Sequence, residues 1–300
     1  MRWLFLVAYA CSGLAGLIYE VSWTRLLTLY IGHTTAAASA VVAAFLGGLA
    51  IGAGAGGSIA SRLTPRRSLH AYVAIEIAVI VAALLVPLEL SALTPLLAWA
   101  YDNGTPGLLF PAVRVLSCLV MVFLPALALG ATFPLAVRWY ASGSAEPARE
   151  GSALYFVNTV GAAIGALVAG FVLIPTLGIS GTTRVGMAGS ALAAVLVWVV
   201  LRRDPGAGRR APGSNWSSGA RSPEPGIPLQ HPWLAVWVLG LSGFAALVHE
   251  IAWTRILSLV LGPTTYAFAA TLAAVISGVA LGSGIGTWIV RRTQIGRAHV

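Results

Sequence analysis

The chain has 300 residues, 58% of them hydrophobic and 9% charged, against about 25% charged in an ordinary soluble domain. Its mean hydropathy is +0.87. A soluble domain of this size cannot hide so much apolar surface. Composition therefore excludes a soluble enzyme, a disordered chain and a disulfide scaffold, and points to an all-α polytopic membrane protein.

In chain order the apolar runs predict eight spans, at about 3–29, 36–60, 69–91, 108–137, 152–175, 180–201, 232–260 and 266–290. The first begins after Arg2 and holds Ala8-Tyr9-Ala10-Cys11, which superficially matches a signal-peptide cleavage site. A close copy of this unit recurs deep in the chain, where no signal peptide can stand, so it is read as a helix. Span 2 holds Gly52-Ala53-Gly54-Ala55-Gly56-Gly57, which fits G-x-G-x-x-G. A dinucleotide or methyl-donor site needs that pattern after a strand, with an acidic residue about 20 positions on. Here it ends an apolar helix, and close helix packing through small residues is the reading adopted. Pro125 and Pro134 are expected to kink span 4. In span 5, Asn158 and Thr159 precede Gly161, Gly165 and Gly170, a pattern suited to a close helix contact with an amide bonding across it.

The charge is +9, from 18 basic residues, all Arg, and 9 acidic ones. The arginines stand singly or in pairs between apolar runs rather than on one face, so nucleic-acid binding is not expected. Arg2, Arg62, Arg66, Arg67, Arg138, Arg149, Arg202, Arg203, Arg209, Arg210, Arg221, Arg291 and Arg292 all fall before span 1 or after even-numbered spans. The positive-inside rule then places the N-terminus in the cytoplasm of a multi-pass protein, with a bacterial inner membrane as the expected location. Residues 202–231, rich in Gly, Pro, Ser and Arg, read as a cytoplasmic linker.

The clearest signal is an internal match at an offset of 230 residues: 12–62 aligns without gaps to 242–292 with 24 identities in 51 positions. Ser12-Gly13 and Tyr19-Glu20-Val21-Ser22-Trp23-Thr24-Arg25 correspond to Ser242-Gly243 and His249-Glu250-Ile251-Ala252-Trp253-Thr254-Arg255. Gly48, Gly52, Gly54 and Gly56 correspond to Gly278, Gly282, Gly284 and Gly286. Six spans separate the copies, so both enter the membrane in the same direction, the parallel-repeat arrangement of major facilitator transporters. On this reading 1–201 is a six-helix half, 232–292 is the first two helices of a truncated second half, and 293–300 is a non-native tail.

With these motifs, and with Leu154-Tyr155-Phe156-Val157-Asn158-Thr159-Val160-Gly161 and Gly170-Phe171-Val172-Leu173-Ile174-Pro175, the chain resembles the membrane region of fused major-facilitator/spermidine-synthase-like bacterial proteins. The resemblance covers about residues 1–292. It implies an aminopropyltransferase-like domain elsewhere in the full protein, and a membrane part that anchors it and passes a polyamine or related cation. It carries over no catalytic residue and no cofactor. A stand-alone secondary transporter of the major facilitator type is the alternative.

Candidate substrate or gate residues follow from the cost of charge in a membrane, at least about 2.5 kcal/mol per ionisable side chain at a helix centre. Glu20 and Glu250 lie inside spans, and Glu76, Glu89, Arg114 and Arg184 are placed near span ends. Glu20 and Arg25 are about 140° apart on a regular helix and cannot easily meet. Reciprocal pairs, Glu20 with Arg255 and Glu250 with Arg25, are therefore expected to close the outer side of a cavity between the two halves. Trp23 and Trp253 are read first as interfacial belt residues, and alternatively as an aromatic wall for a cation. Asn158 completes the set. No metal or nucleophile site emerges from the scattered His and Cys positions.

Overall fold

The computed structural model describes residues 1–31, 35–102, 109–144, 147–203, 232–262 and 265–297. Among them the regular structure is helical throughout, with no strand. The helices are α1 (Arg2–Ile31), α2 (Thr35–Arg62), α3 (Pro65–Asp102), α4 (Leu109–Tyr140), α5 (Pro147–Val168), α6 (Ile174–Arg203), α7 (Pro232–Leu261) and α8 (Thr265–Arg297). Six stretches of these residues are long and apolar enough to cross a membrane: Arg2–Tyr30, Ala40–Arg62, Pro65–Tyr101, Leu109–Tyr140, Arg149–Arg203 and Gly240–Val260. Helix is the form that satisfies every backbone group inside a bilayer without a neighbour. Most of the linker expected over 202–231, from residue 204 onward, lies outside the described residues, as do 298–300 of the expected tail; residues 293–297 continue α8.

The long Arg149–Arg203 stretch holds two helices. A π-helical turn, Ala169–Leu173, leads from α5 into α6 just before Pro175, whose missing N–H and ring disturb the regular ladder. The direction changes at Gly178, with φ 69° and ψ 179°. A Cβ there would meet nothing within 4 Å, so the backbone conformation, not crowding, calls for glycine. This break falls in the connection expected between spans 5 and 6. Span 3 is longer than expected: α3 continues past Ser91, the expected end, to Asp102, through Pro95 as well as Pro87. Apolar Leu93, Leu96, Leu97 and Trp99 favour continued helix, and proline is tolerated in apolar helices where local adjustment re-satisfies the freed carbonyls.

α1 is the axial helix, packed between α5 and α6; α2 packs along α4, and α3 against α4 and α6. At one end of the bundle an apolar cluster joins the start of α1 (Phe5, Tyr9), the end of α2 (Ala60), the start of α3 (Leu69, Tyr72), the end of α4 (Trp139, Tyr140), Leu154 of α5 and the end of α6 (Val200, Leu201). A second cluster, Tyr19, Trp23, Leu27, Phe45, Val86 and Val122 among others, joins later α1 and α3 to early α2 and mid α4. The first six helices thus alternate in direction. Away from these clusters the bundle shows lipid-like side chains: Leu84, Leu88, Leu116, Leu124 and Val195 are exposed.

Helix contact in an apolar solvent rests on close van der Waals approach rather than on water exclusion, which favours small residues. Gly48, Gly52 and Gly56, four apart, lie against Ala126, Leu127 and Ala131 of α4, and Gly130 of α4 lies against Leu49. A Cβ on Gly52 would run into the Leu127 carbonyl, and one on Gly56 would sit 2.7 Å from the Ala131 Cα. Gly54 and Gly57 have nothing near them. The G-x-G-x-x-G look-alike is therefore a helix-packing stripe with two outward glycines. Gly161 and Gly165 of α5 bring that helix against the Ala10 and Leu14 carbonyls of α1 in the same way.

Candidate functional site

The polar residues inside the bundle gather on α1 and on the helices around it. Ser12, Glu20, Ser22 and Thr24 of α1 are all buried, as are Glu76 of α3 and Thr182 and Ser190 of α6. Some are satisfied locally. Ser22 Oγ donates to the Ile18 carbonyl at 2.8 Å, and Thr182 Oγ1 to that of Gly178 at 2.7 Å. Thr183 Oγ1 reaches Ser22 Oγ at 3.4 Å, tying α6 to α1.

The others converge on one carboxylate. Glu76 is fully buried, as are Tyr72, one turn before it on α3, and Ser190 across on α6. The hydroxyls of Ser12, Ser190 and Tyr72 lie around the carboxylate, and Tyr9 and Tyr19 of α1 stand within its electrostatic range. Yet neither Glu76 oxygen, nor Tyr72 Oη, Ser190 Oγ or Tyr19 Oη, has a partner at hydrogen-bonding geometry. Buried polar atoms of folded proteins are almost always satisfied, so five oxygens without a partner at full geometry on three adjoining helices make this the candidate site inside the bundle. Sequence reading treats Glu76 as one of several charges near span ends. The structure seats it at the centre of the six-helix bundle.

Beside these oxygens the surroundings become aromatic: Tyr19 stacks on Trp23, with ring centroids 4.9 Å apart and an interplanar angle of 21°. Trp23 is 3% exposed and its Nε1 is unpartnered. Trp23 is thus not the interfacial belt residue that the sequence suggested. α1 continues beyond it to Ile31, about 12 Å at 1.5 Å per residue, so the indole lies well inside the helix end. Its counterpart Trp253 on α7 is 54% exposed.

The expected reciprocal ion pairs are not formed. Glu20 is 4% exposed and lies within electrostatic range of Glu250, its sequence counterpart, rather than beside Arg255. Glu250 is partly buried, Arg25 partly buried and Arg255 exposed. The two glutamates of the matching motifs are thus within electrostatic range of each other, and neither forms an ion pair with Arg25 or Arg255. A five-residue step from Glu to Arg turns the two side chains to different faces of a helix.

Asn158 sits at the α5–α1 contact. Its Nδ2 donates to the Tyr9 carbonyl at 3.1 Å, and a Cβ on Gly13 would lie 2.7 Å from the same amide nitrogen. At the end of the bundle where α1 begins, Arg2 forms an ion pair with Glu150 of α5 and lies 4.4 Å from the centre of the Tyr140 ring of α4. Arg138 Nε donates to the Leu63 carbonyl at 3.0 Å, holding the α2–α3 turn to α4. Among the described residues no group of three or more His, Cys, Asp or Glu side chains is placed to hold a metal ion.

The chain is 27% identical over 207 residues to polyamine aminopropyltransferase 1 of Streptomyces coelicolor. The match covers 68% of this chain and 35% of that protein, so the chain spans about a third of the relative's length. No family model matches the chain, and no solved structure does. The likeness is distant, and it is to a spermidine-synthase-like protein.

Proposed function

We propose that this chain is the integral membrane portion of a spermidine-synthase-like protein, a major-facilitator-like six-helix half followed by the first two helices of a second, like-oriented half, which anchors an aminopropyltransferase domain and passes a polyamine or related cation. The observation that carries this reading is the 207-residue likeness to a polyamine aminopropyltransferase on a chain whose described residues are all apolar helix and connection. Two features support the cation. Glu20 and Glu250 lie within electrostatic range of each other, and an aromatic pair, Tyr19 with Trp23, stands within one turn of Glu20. Carboxylate and aromatic faces together suit an alkylammonium group. The partners on this reading are the lipid bilayer and a cationic small molecule.

The arrangement of arginines supports a cytoplasmic N-terminus in a bacterial inner membrane, because the bundle end that gathers Arg2, Arg138 and Arg202 is the one expected to face inward. A stand-alone secondary transporter is the second reading, favoured by the 24 identities between the two like-oriented segments.

The test is uptake of radiolabelled spermidine and putrescine into vesicles carrying the full-length gene product, alongside aminopropyl transfer by the same membranes. Saturable uptake that Glu20→Gln reduces at least about tenfold, together with transferase activity, supports the fused reading. Uptake with no transferase activity supports the stand-alone transporter. Transferase activity with no uptake leaves anchoring as the role of the helices and overturns transport.

A further inference from the structure

We propose that Glu76, with Ser12, Tyr72 and Ser190, forms an all-oxygen site for one small dehydrated monovalent cation of the Na+ class, separate from the Glu20 and Glu250 carboxylates. The geometry carries it in four steps. Glu76 is fully buried and forms no ion pair with a described Arg, so its charge has no counterpart among the described residues. An uncompensated carboxylate in such surroundings costs several kcal/mol, and either a proton or a bound cation removes that cost; the experiment below separates the two.

The second step concerns which oxygens are gathered. The hydroxyls of Ser12, Ser190 and Tyr72 lie around the carboxylate, and both carboxylate oxygens, Tyr72 Oη and Ser190 Oγ lack a partner at full hydrogen-bonding geometry. Hard oxygens grouped around one carboxylate are the donor set that a hard cation takes. Third, a single carboxylate balances a single charge; a divalent ion would leave a net positive charge in an apolar interior. Fourth, the walls are closed. Tyr9 is 2% exposed, Ser12 3%, and Tyr72 and Ser190 are fully covered, so no opening admits a polyamine chain.

The site also has a structural consequence. Its ligands come from α1, α3 and α6, so occupancy draws together three helices that meet around α1. A cation bound there stabilises one packing of the axial helix against its neighbours, which is how an ion couples to a rearrangement of helices.

The experiment is equilibrium binding of radioactive Na+ to the purified full chain in lipid nanodiscs, with unlabelled Na+, Li+, K+ or N-methylglucamine as competitors, and with thermal unfolding in NaCl against N-methylglucamine chloride. The expected result is saturable binding, displaced by Na+ and Li+, and a higher unfolding temperature in NaCl. Glu76→Gln abolishes both effects. Ser190→Ala, a smaller change that keeps the charge, weakens binding about tenfold, as loss of one charge-assisted contact of about 1.5 kcal/mol does. Glu89→Gln, on the same helix and partly exposed, leaves binding unchanged. Absence of saturable Na+ binding by the unaltered chain overturns the proposal. So does binding that survives both Glu76→Gln and Ser190→Ala, or a protonated-carboxyl infrared band that Glu76→Gln removes while Na+ has no effect. Polyamine uptake into vesicles is read separately, since Glu20 and Glu250 can fail as a polyamine path while the Na+ site stands.

Discussion

Two segments of this chain share nearly half their residues and meet opposite surroundings. In α1 and α2, Trp23 is buried and Gly52 and Gly56 lie against the α4 backbone; in α7 and α8, Trp253 is exposed and Gly278, Gly282 and Gly284 have nothing within 4 Å. No residue of the apolar stretch Gly240–Val260 is buried. The difference is one of neighbours. α1 has α5 and α6 on its flanks and α2 has α4, while among the described residues α7 packs mainly on α8, and α8 on α5. A motif whose glycines and tryptophan suit close packing is equipped for contacts that only one of its two copies makes here.

The sharpest way to break that comparison is to make the same change in both copies. Trp23→Ala removes a buried indole stacked on Tyr19, and a cost of about 3 kcal/mol or more is expected. Trp253→Ala, on an exposed ring, is expected to cost under about 0.5 kcal/mol. Thermal or denaturant unfolding of the chain in detergent measures both, and equal losses would show that α7 is packed as α1 is. Next in size, Gly52→Ala drives a methyl into the Leu127 carbonyl and is expected to cost about 1–3 kcal/mol, whereas Gly282→Ala meets open space and should be neutral or slightly favourable. If Gly282→Ala costs as much as Gly52→Ala, the second pair of helices has a partner as close as α4.

The sequence makes helices, their number and their approximate ends legible because the bilayer imposes one periodic demand, about 20 apolar residues per crossing. The small-residue stripes are legible for the same kind of reason: Gly48, Gly52 and Gly56 fall on one face by spacing alone, and α4 lies on that face. What spacing cannot supply is the partner. Nothing local distinguishes Glu76, which faces Ser12 and Ser190 across two helix contacts, from Glu89, further along the same helix, which is partly exposed. The same limit explains the ion pairs. Glu20 and Arg255 are complementary as letters, but pairing needs their helices to pack on each other; among the described residues α7 packs mainly on α8, and Glu20 lies only within electrostatic range of Glu250. The reading of Trp23 fails for the same reason: a tryptophan about six residues from the expected span end fits an interfacial belt, and only its stacking on Tyr19 and its burial among neighbouring helices show otherwise.

A smaller contrast lies within the packed half, between a buried neutral contact and an exposed charged one. The Asn158 amide bonds to the Tyr9 carbonyl where α5 meets α1, and Asn158→Leu is expected to cost about 0.6 kcal/mol, up to about 1.7, the range for such bonds between apolar helices. The larger leucine also presses on Gly13, so Asn158→Ala is the cleaner variant. Arg2 and Glu150 hold opposite charges, and intuition ranks their pair higher. Their side chains are 54% and 21% exposed, however, and at a water-facing helix end the attraction is screened and offset by the ordering of two long side chains. A double-mutant cycle of Arg2→Ala with Glu150→Ala is expected to give a coupling of about 0.5 kcal/mol or less, falling with added salt. Most of what Arg2→Ala loses should then be its packing over Tyr140, which Arg2→Met retains in part and which salt does not touch. A coupling above about 2 kcal/mol that resists salt would mean that this end of the bundle is sealed from water.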